Sequence, residues 1–213
     1  MSVRKAGRPV GGDSDARQKL IDACRPMFMR LPYEKVSTRM VAEKAGVNVA
    51  LIRYYFQSKA GLFEAMVNDT MEPIHSTMSA VLDKGGFDNL EQLMRTYYKT
   101  MAPYPEFPAL VARIMNGPAD DTQRRILDKQ FERFVRPMHE TLFSKMPDLK
   151  EGCDPTFARL TFLSLMIFPF LIPRGFAELQ GIEINAQLLN ALADHNMQLL
   201  RQGMMKEESE VVS

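Results

Sequence analysis

Between Val36 and Lys59 the chain reads VSTRMVAEKAGVNVALIRYYFQSK, and a few side chains near its end have types and spacing suited to one chemistry. If the segment from Asn48 onward is helical, Val49, Ala50, Arg53 and Tyr54 share its outer side, whereas Ile52, Tyr55 and Phe56 recur at the three- and four-residue spacing of a core-facing stripe. An arginine can pair bidentately with guanine O6 and N7, and small apolar side chains can pack on thymine methyls. That is recognition of duplex base edges, with no bond made or broken. Catalytic chemistry finds little material here. His75, His139 and His195 lie far apart without metal-ligand spacing, and no Gly-rich phosphate loop or nucleophile elbow occurs. Asp120-Asp121 and Asp194-His195 read as surface charge. No catalytic residue, metal ligand or cofactor is expected, and the chain is not read as an enzyme.

Positioning that outer face requires two short helices bent against each other. Ser37 is placed to cap the first, since an N-cap hydroxyl accepts from an otherwise orphaned backbone N–H. Met40, Val41 and Ala45 are its expected apolar stripe. Gly46 follows, where a residue free to take positive φ lets the chain leave the helix, and Val47 plugs the corner. Asn48 is placed to cap the second helix. A helix, a glycine-containing tight turn and a second helix form the helix-turn-helix pattern. A preceding helix from about Asp13 or Ser14 to Arg30 carries Leu20, Ala23, Cys24, Met27, Phe28 and Leu31 at helical spacing, is disturbed by Pro26 and ends at Pro32. Ser58 is placed to cap a fourth helix through Leu62, Phe63, Met66 and Val67.

The run Thr38-Arg39-x-Val41-Ala42-x-x-Ala45-Gly46-Val47, followed by Tyr54-Tyr55-Phe56-x-Ser58-Lys59-x-x-Leu62, resembles the amino-terminal signature of the TetR (tetracycline repressor) family of transcriptional regulators. The resemblance covers about residues 14 to 66. It implies that Thr38, Tyr54, Tyr55 and Lys59 meet the DNA backbone and that Arg39 reaches a base edge. It further implies base reading by Val49, Ala50, Leu51 and Arg53, with Asn48 at the start of that helix. Arg53 stands where the family often has tyrosine. It also implies a double-stranded palindromic operator bound by a homodimer, and release by a small ligand.

Composition agrees with that division of labour. Residues 1–61 hold 12 Lys and Arg against 5 Asp and Glu, which leaves 15 against 21 for the remainder of a 213-residue chain. A basic end beside an acidic remainder is the footprint of a module that meets phosphates joined to one that does not. Residues 1–12 combine Arg4, Lys5 and Arg8 with glycines and a proline, and Gly7-Arg8-Pro9 looks like an arm that inserts arginine into a narrow minor groove. A disordered basic tail is the other reading. Two distant cysteines, Cys24 and Cys153, suggest free thiols and a cytoplasmic location. The first dozen residues are too polar for a signal peptide, and the apolar run Phe162 to Ile172 is too short to span a bilayer and is broken by Pro169.

The expected fold is all-α: an arm at 1–12, a three-helix helix-turn-helix DNA-binding domain at 13–61, a helical ligand-binding and dimerisation domain at 62–203, and a disordered tail at 204–213. Helical segments are expected at Leu90–Met101, Ala109–Met115, Asp120–Met146 with a kink at Pro137, Pro155–Ile172, and Ile184–Gln202. The last has Ile184, Leu188, Leu192, His195 or Asn196, and Leu199 on one stripe, and with Pro155–Ile172 from two chains it could form a four-helix dimer bundle. The middle of the chain is rich in soft and aromatic side chains: Met94, Tyr97, Tyr98, Met101, Phe107, Ile114, Met115, Phe131, Phe134, Met138 and Phe162. They read either as an ordinary core or as the lining for a small hydrophobic ligand, oriented by Tyr97, Tyr98, Arg113 or His139. A helical small-molecule-binding protein or enzyme with a purely structural trihelix, and an activator of the same fold, are the alternatives to a repressor.

Overall fold

The computed structural model describes residues 12–81, 87–138 and 149–206, all helix and connecting turns apart from one isolated antiparallel bridge between Leu149 and Met205. The chain divides into two compact units, Met1–Thr70 and Met71–Ser213. Arg8 and His139 lie outside the described residues, as does the side chain of Met138.

In the first unit, α1 (Gly12–Arg30) keeps going through Pro26 and buries Leu20, Ile21, Cys24 and Phe28. Ala23 is buried as predicted, but Met27 is half-buried and Leu31 exposed while Ile21, Arg25 and Met29 are buried, so the buried face is displaced from the one the spacing predicts. A single 3-10 turn over Tyr33–Lys35 leads into α2 (Thr38–Ala45), where Ser37 Oγ accepts from Met40 N at 3.2 Å. Val41 and Ala42 are the buried pair of α2, while Met40 is exposed and Ala45 half-buried. Gly46 takes φ +66, its N–H reaches Glu43 O, and Val47 N–H returns to Ala42 O at 3.0 Å. These two backward bonds satisfy the carbonyls that a helix end leaves orphaned.

α3 (Ala50–Phe56) is started by Asn48, whose Oδ1 accepts from Ala50 N at 2.8 Å, and it buries Ile52 and Phe56. Gln57, at φ +66, ends it. Ser58 Oγ then accepts from Gly61 N at 3.1 Å to open α4 (Lys59–Val81), which contributes residues to both units. Gly61 is required by contact: a Cβ there would lie 2.0 Å from Phe56 O. Phe28, Tyr33 and Phe63 form an aromatic cluster with centroids 5.1 to 5.9 Å apart, binding α1, the 3-10 turn and α4 together.

The second unit continues through α5 (Phe87–Met101), α6 (Phe107–Met115) and α7 (Thr122–Gln130). Pro108 falls in the first turn of α6, where no intrahelical N–H is needed, so α6 begins two residues before the predicted start. α7 does not run on uniformly to a kink at Pro137. It widens into a π turn over Phe131–Val135, with Arg136 N–H bonded to Phe131 O, before a short α8 (Arg136–Met138). Proline lacks the N–H for an ordinary helical bond and its ring presses on the carbonyl four residues back, which the wider turn accommodates.

α9 (Pro155–Ile167) is capped by Asp154, whose Oδ1 accepts from Thr156 N at 2.6 Å. It stops short of Ile172 because Pro169 turns the chain into a 3-10 segment over Phe168–Phe170. A short α10 (Arg174–Leu179) follows, which the periodicity does not reveal. Asn185 caps α11 (Ala186–Met204), leaving Ile184 outside the helix. Its buried stripe is Leu189, Ala193, Asn196, Met197 and Leu200: Asn196 is one of the two residues the spacing offers at that turn, and Leu189, Ala193 and Leu200 lie one residue on from the predicted Leu188, Leu192 and Leu199. Met204 and Met205 are ordered rather than frayed: Lys150 N–H bonds to Met204 O, and Met205 is buried.

Candidate nucleic-acid interface

The outer surface of the first unit is set by what its inner surface must bury. With Val41, Ala42, Ile52 and Phe56 inward, helical geometry turns Arg39 on α2 and Asn48, Val49, Ala50, Arg53 and Tyr54 on or before α3 to solvent. Tyr54 is 62% exposed and meets Tyr55 edge-on at 4.9 Å between centroids. Tyr55 and Leu51 are half-buried, as is Thr38 at the start of α2. α3 carries no acidic residue. A compact face of one guanidinium, one phenol and small apolar groups therefore projects from a helix whose start and finish are both fixed by hydrogen bonds.

Lys59 has a different placement from the rest of the predicted set. Its Nζ donates to Tyr33 O at 2.9 Å and to Val36 O at 3.1 Å, and lies 4.1 Å from the Tyr33 ring centroid. The ammonium is held on the connection between α1 and α2.

Behind this face is a charged knot with no counterpart in the sequence reading. Arg25, buried in α1, donates through Nη1 to Asp22 at 3.0 Å, through Nη2 to Asp69, and through Nε to Thr70 Oγ1 at 3.1 Å. Thr70 in turn donates to Met66 O at 2.8 Å. Cys24 beside it is a buried free thiol whose pKa burial pushes up to about 12, and Cys153 is free as well.

In the second unit the predicted ligand set separates into groups. Met94, Tyr98, Met101, Ile114 and Phe162 are buried. Tyr98 OH donates to Leu165 O at 2.7 Å and accepts from Asn196 Nδ2 at 3.0 Å, and burial pushes its pKa up to about 12. Tyr97 and Tyr98 both meet Phe170 edge-on, with centroids 5.7 and 5.9 Å away, and burial raises the Tyr97 pKa as well. Phe131 and Phe134 sit half-buried on the π turn, and Phe134 stacks on His75. Arg113 is exposed. Asn196 and Phe170, the partners that fix the two tyrosines, come from segments about 70 to 100 positions away, and no local pattern marks them. Among the described residues no group of three or more His, Cys, Asp or Glu side chains could hold a metal ion, and no helix is long and apolar enough to cross a membrane.

Residues 20–66 match the family model described as bacterial regulatory proteins, tetR family. Nucleoid occlusion factor SlmA of Alteromonas mediterranea is 25% identical over 148 residues, which are 68% of this chain and 74% of the relative. Probable HTH-type transcriptional regulator YttP of Bacillus subtilis is 30% identical over 87 residues, 40% of this chain and 42% of the relative. Among solved structures, the transcriptional regulator FadR of Bacillus subtilis in complex with stearoyl-CoA shares the fold, with a TM-score of 0.62 at 16% identity over 87% of this chain and 98% of that one.

Proposed function

We propose, from a chain that its amino-terminal domain places in the TetR family of DNA-binding bacterial regulators, that it acts as a repressor. As a homodimer it would bind a palindromic operator and leave it when a small hydrophobic ligand enters the second unit. The observation that carries this reading is the exposed Arg53 and Tyr54 face of α3, presented on a helix-turn-helix with hydrogen-bonded ends in the segment that matches the family.

In this reading α3 lies in the major groove. Arg53, helped by Arg39, pairs with guanine, and Val49, Ala50 and Leu51 pack on thymine methyls. Thr38, Tyr54 and Tyr55 meet phosphates, and Asn48 fixes the helix start beside them. Lys59 serves from behind by holding the α1–α2 connection, and Arg8 reaches the minor groove from the arm. Dimerisation is supported by the outer sides of α9, of the 3-10 segment after it and of α11, where Phe157 and Leu160, Phe168, and Leu199 stay exposed in the single chain. A ligand changes operator affinity only by preferring one arrangement of the two reading heads, and α4, with residues in both units, is the lever. Support for a ligand with apolar character comes from the soft lining around Met94, Tyr97, Met101 and Phe162, and from the stearoyl-CoA bound by the FadR structure of the same fold. Footprinting against genomic fragments tests the reading. A protected palindrome that is released by a metabolite extract supports it, and no preference over random duplex at moderate salt removes it.

The likeness to nucleoid occlusion factor SlmA runs well past the helix-turn-helix and favours a second reading, in which the bound DNA serves nucleoid occlusion. Chromosome-wide binding maps separate the two: sites confined to a few promoters support repression, and sites scattered through coding regions support occlusion.

A further inference from the structure

Gln57 is the one residue other than glycine with a positive φ among the described residues, at φ +66 and ψ −37. Gly46, at φ +66 and ψ +31, sits in the ordinary left-handed well. Gln57 lies outside it. Its ψ has the opposite sign, and Ser58 N–H reaches back across it to Phe56 O at 2.7 Å, which makes this a γ turn of the rare, strained hand. Glycine would take this backbone without the Cβ penalty. Strain of this kind gathers at functional positions, so a long side chain kept where glycine is more comfortable points to a use for that side chain.

The surroundings narrow that use. Gln57 N–H still bonds to Arg53 O at 3.1 Å, so its Cα continues α3 one turn beyond the exposed Arg53 and Tyr54, and Gln57 is itself exposed. Phe56, directly before it, carries the Arg17 guanidinium of α1 over its ring, 5.4 Å from the centroid. Arg17 is exposed as well, and among the described residues no carboxylate pairs with it, whereas Lys19 on the same helix is taken by Asp15 at 2.6 Å. A guanidinium held over a ring keeps its in-plane N–H groups to donate. A strained carboxamide and an arginine without a counter-charge thus both adjoin Phe56 at the carboxyl end of α3.

We propose that Gln57 and Arg17 clamp the DNA backbone at that end of the reading helix, each donating to a phosphate oxygen. This rests on the reading of α3 as the helix in the major groove, and it adds to that reading two contacts that the family signature does not supply. Position decides between phosphate and base. A recognition helix meets base edges with its amino-terminal residues, which leaves its far end to the flanking strand. Phosphate oxygens only accept, and both groups have N–H donors to offer. The two contacts differ in one measurable way: the guanidinium displaces a counterion from the duplex, and the neutral carboxamide displaces none.

The test uses the full chain and a duplex that the wild-type protein selects from a random-sequence pool, with affinity read by fluorescence anisotropy across a salt series. Arg17→Gln should weaken binding about ten-fold at moderate salt and lower the salt slope by about one. Gln57→Gly should weaken binding about five-fold, the margin of one neutral hydrogen bond, and leave the slope unchanged. It should also raise the thermal midpoint, because glycine relieves the strained turn. Stability and affinity moving in opposite directions is a result that a purely structural turn would not give. Gln57→Lys, which puts a charged donor in the same place, should restore binding and raise the slope by about one. The clamp is overturned by a Gln57→Gly variant that binds like the wild type or melts below it, by a loss confined to one base pair when the duplex is mutated position by position, or by an unchanged slope in Arg17→Gln. Any of these leaves the regulator standing if the wild-type protein has selected a duplex, whereas a wild-type protein that selects none removes the reading and the clamp together.

Discussion

Arg25 and Asp69 face each other across the first unit: Nη2 of the arginine donates to the aspartate of α4, while Nε takes Thr70 at 3.1 Å. Arg25 is 4% exposed, so the pair is a buried anchor between α1 and the last residues that α4 gives to this unit. Removing one member of a buried pair is expensive because the other is left unpaired, but Asp69 is about a third exposed and recovers part of that loss in water. Arg25→Met should therefore cost about 2 kcal/mol, read as a thermal midpoint lowered by several degrees. Asp69→Asn, which keeps an acceptor for the guanidinium, should cost less. Equal midpoints for Arg25→Met and the wild type would reduce the pair to a surface contact.

Arg53 offers a cleaner readout, because it is exposed and its loss should leave the melting curve unchanged. Arg53→Ala should weaken operator binding by about 1 to 3 kcal/mol and relax selection at one base pair per half-site. Competition with operators mutated one position at a time checks this. A loss of the same size on every sequence would make Arg53 a phosphate clamp.

The helix-turn-helix was legible because its signals are local. Ser37, Gly46 and Asn48 lie within a few residues of the backbone groups they satisfy, so composition and spacing suffice. α11 shows why the remainder was not. Leu188, Leu192 and Leu199 make one apolar stripe, and Leu189, Ala193, Met197 and Leu200 make another one residue away. Periodicity cannot say which of two apolar faces meets its own core, and here the second does. Arg25 with Asp69, and Tyr98 with Asn196, are joined across 44 and 98 positions, beyond the reach of any window along the chain. Gly61 needed the structure too, since its necessity depends on where Phe56 O lies.

Two glycines should respond very differently to alanine. Gly46→Ala meets open space, so it bears only the strain of a Cβ at φ +66, about 1 kcal/mol. Gly61→Ala would drive its Cβ to 2.0 Å from Phe56 O, a backbone atom that can yield only by displacing α3 from α4. Gly61→Ala should cost more than 2 kcal/mol, the large end for a single substitution, and should abolish operator retention even where the fold survives. Denaturant midpoints for both variants, beside a filter-binding assay, decide the ordering.

His75 gives the acid limb of stability its sign. Burial against Phe134, with Arg133 near, lowers its folded pKa from the usual 6.5 to about 4, and Glu72 opposes this more weakly. Its contribution is therefore fully present above pH 6.5 and is lost as the pH falls through 6.5 toward 4, because the unfolded chain takes the proton first. The ring is only half-buried, so after solvent screening the loss should be about 1 to 2 kcal/mol. His75→Phe, which keeps the stack without the titrating group, should flatten the thermal midpoint over that window. An unchanged slope would place the acid sensitivity elsewhere.

The outer faces of α9 and α11 carry the last prediction. Phe157 is 68% and Leu160 56% exposed, one turn apart on the same side of α9, and Leu199 on α11 is 48% exposed. Water contact on that much apolar surface is unfavourable by about 25 cal/mol for each Å² that could be buried, so a second copy of the chain is a natural cover. A charge placed in the centre of a two-fold seam meets its own image, which makes Leu160→Glu doubly disruptive. That variant should scatter light as a monomer at micromolar concentration while its helical circular dichroism and thermal midpoint stay near those of an isolated folded chain. It should also lose most of its operator affinity, since a lone helix-turn-helix reads a single half-site. A dimer that persists in Leu160→Glu, or a wild-type protein that is already monomeric, would move the assembly surface away from α9.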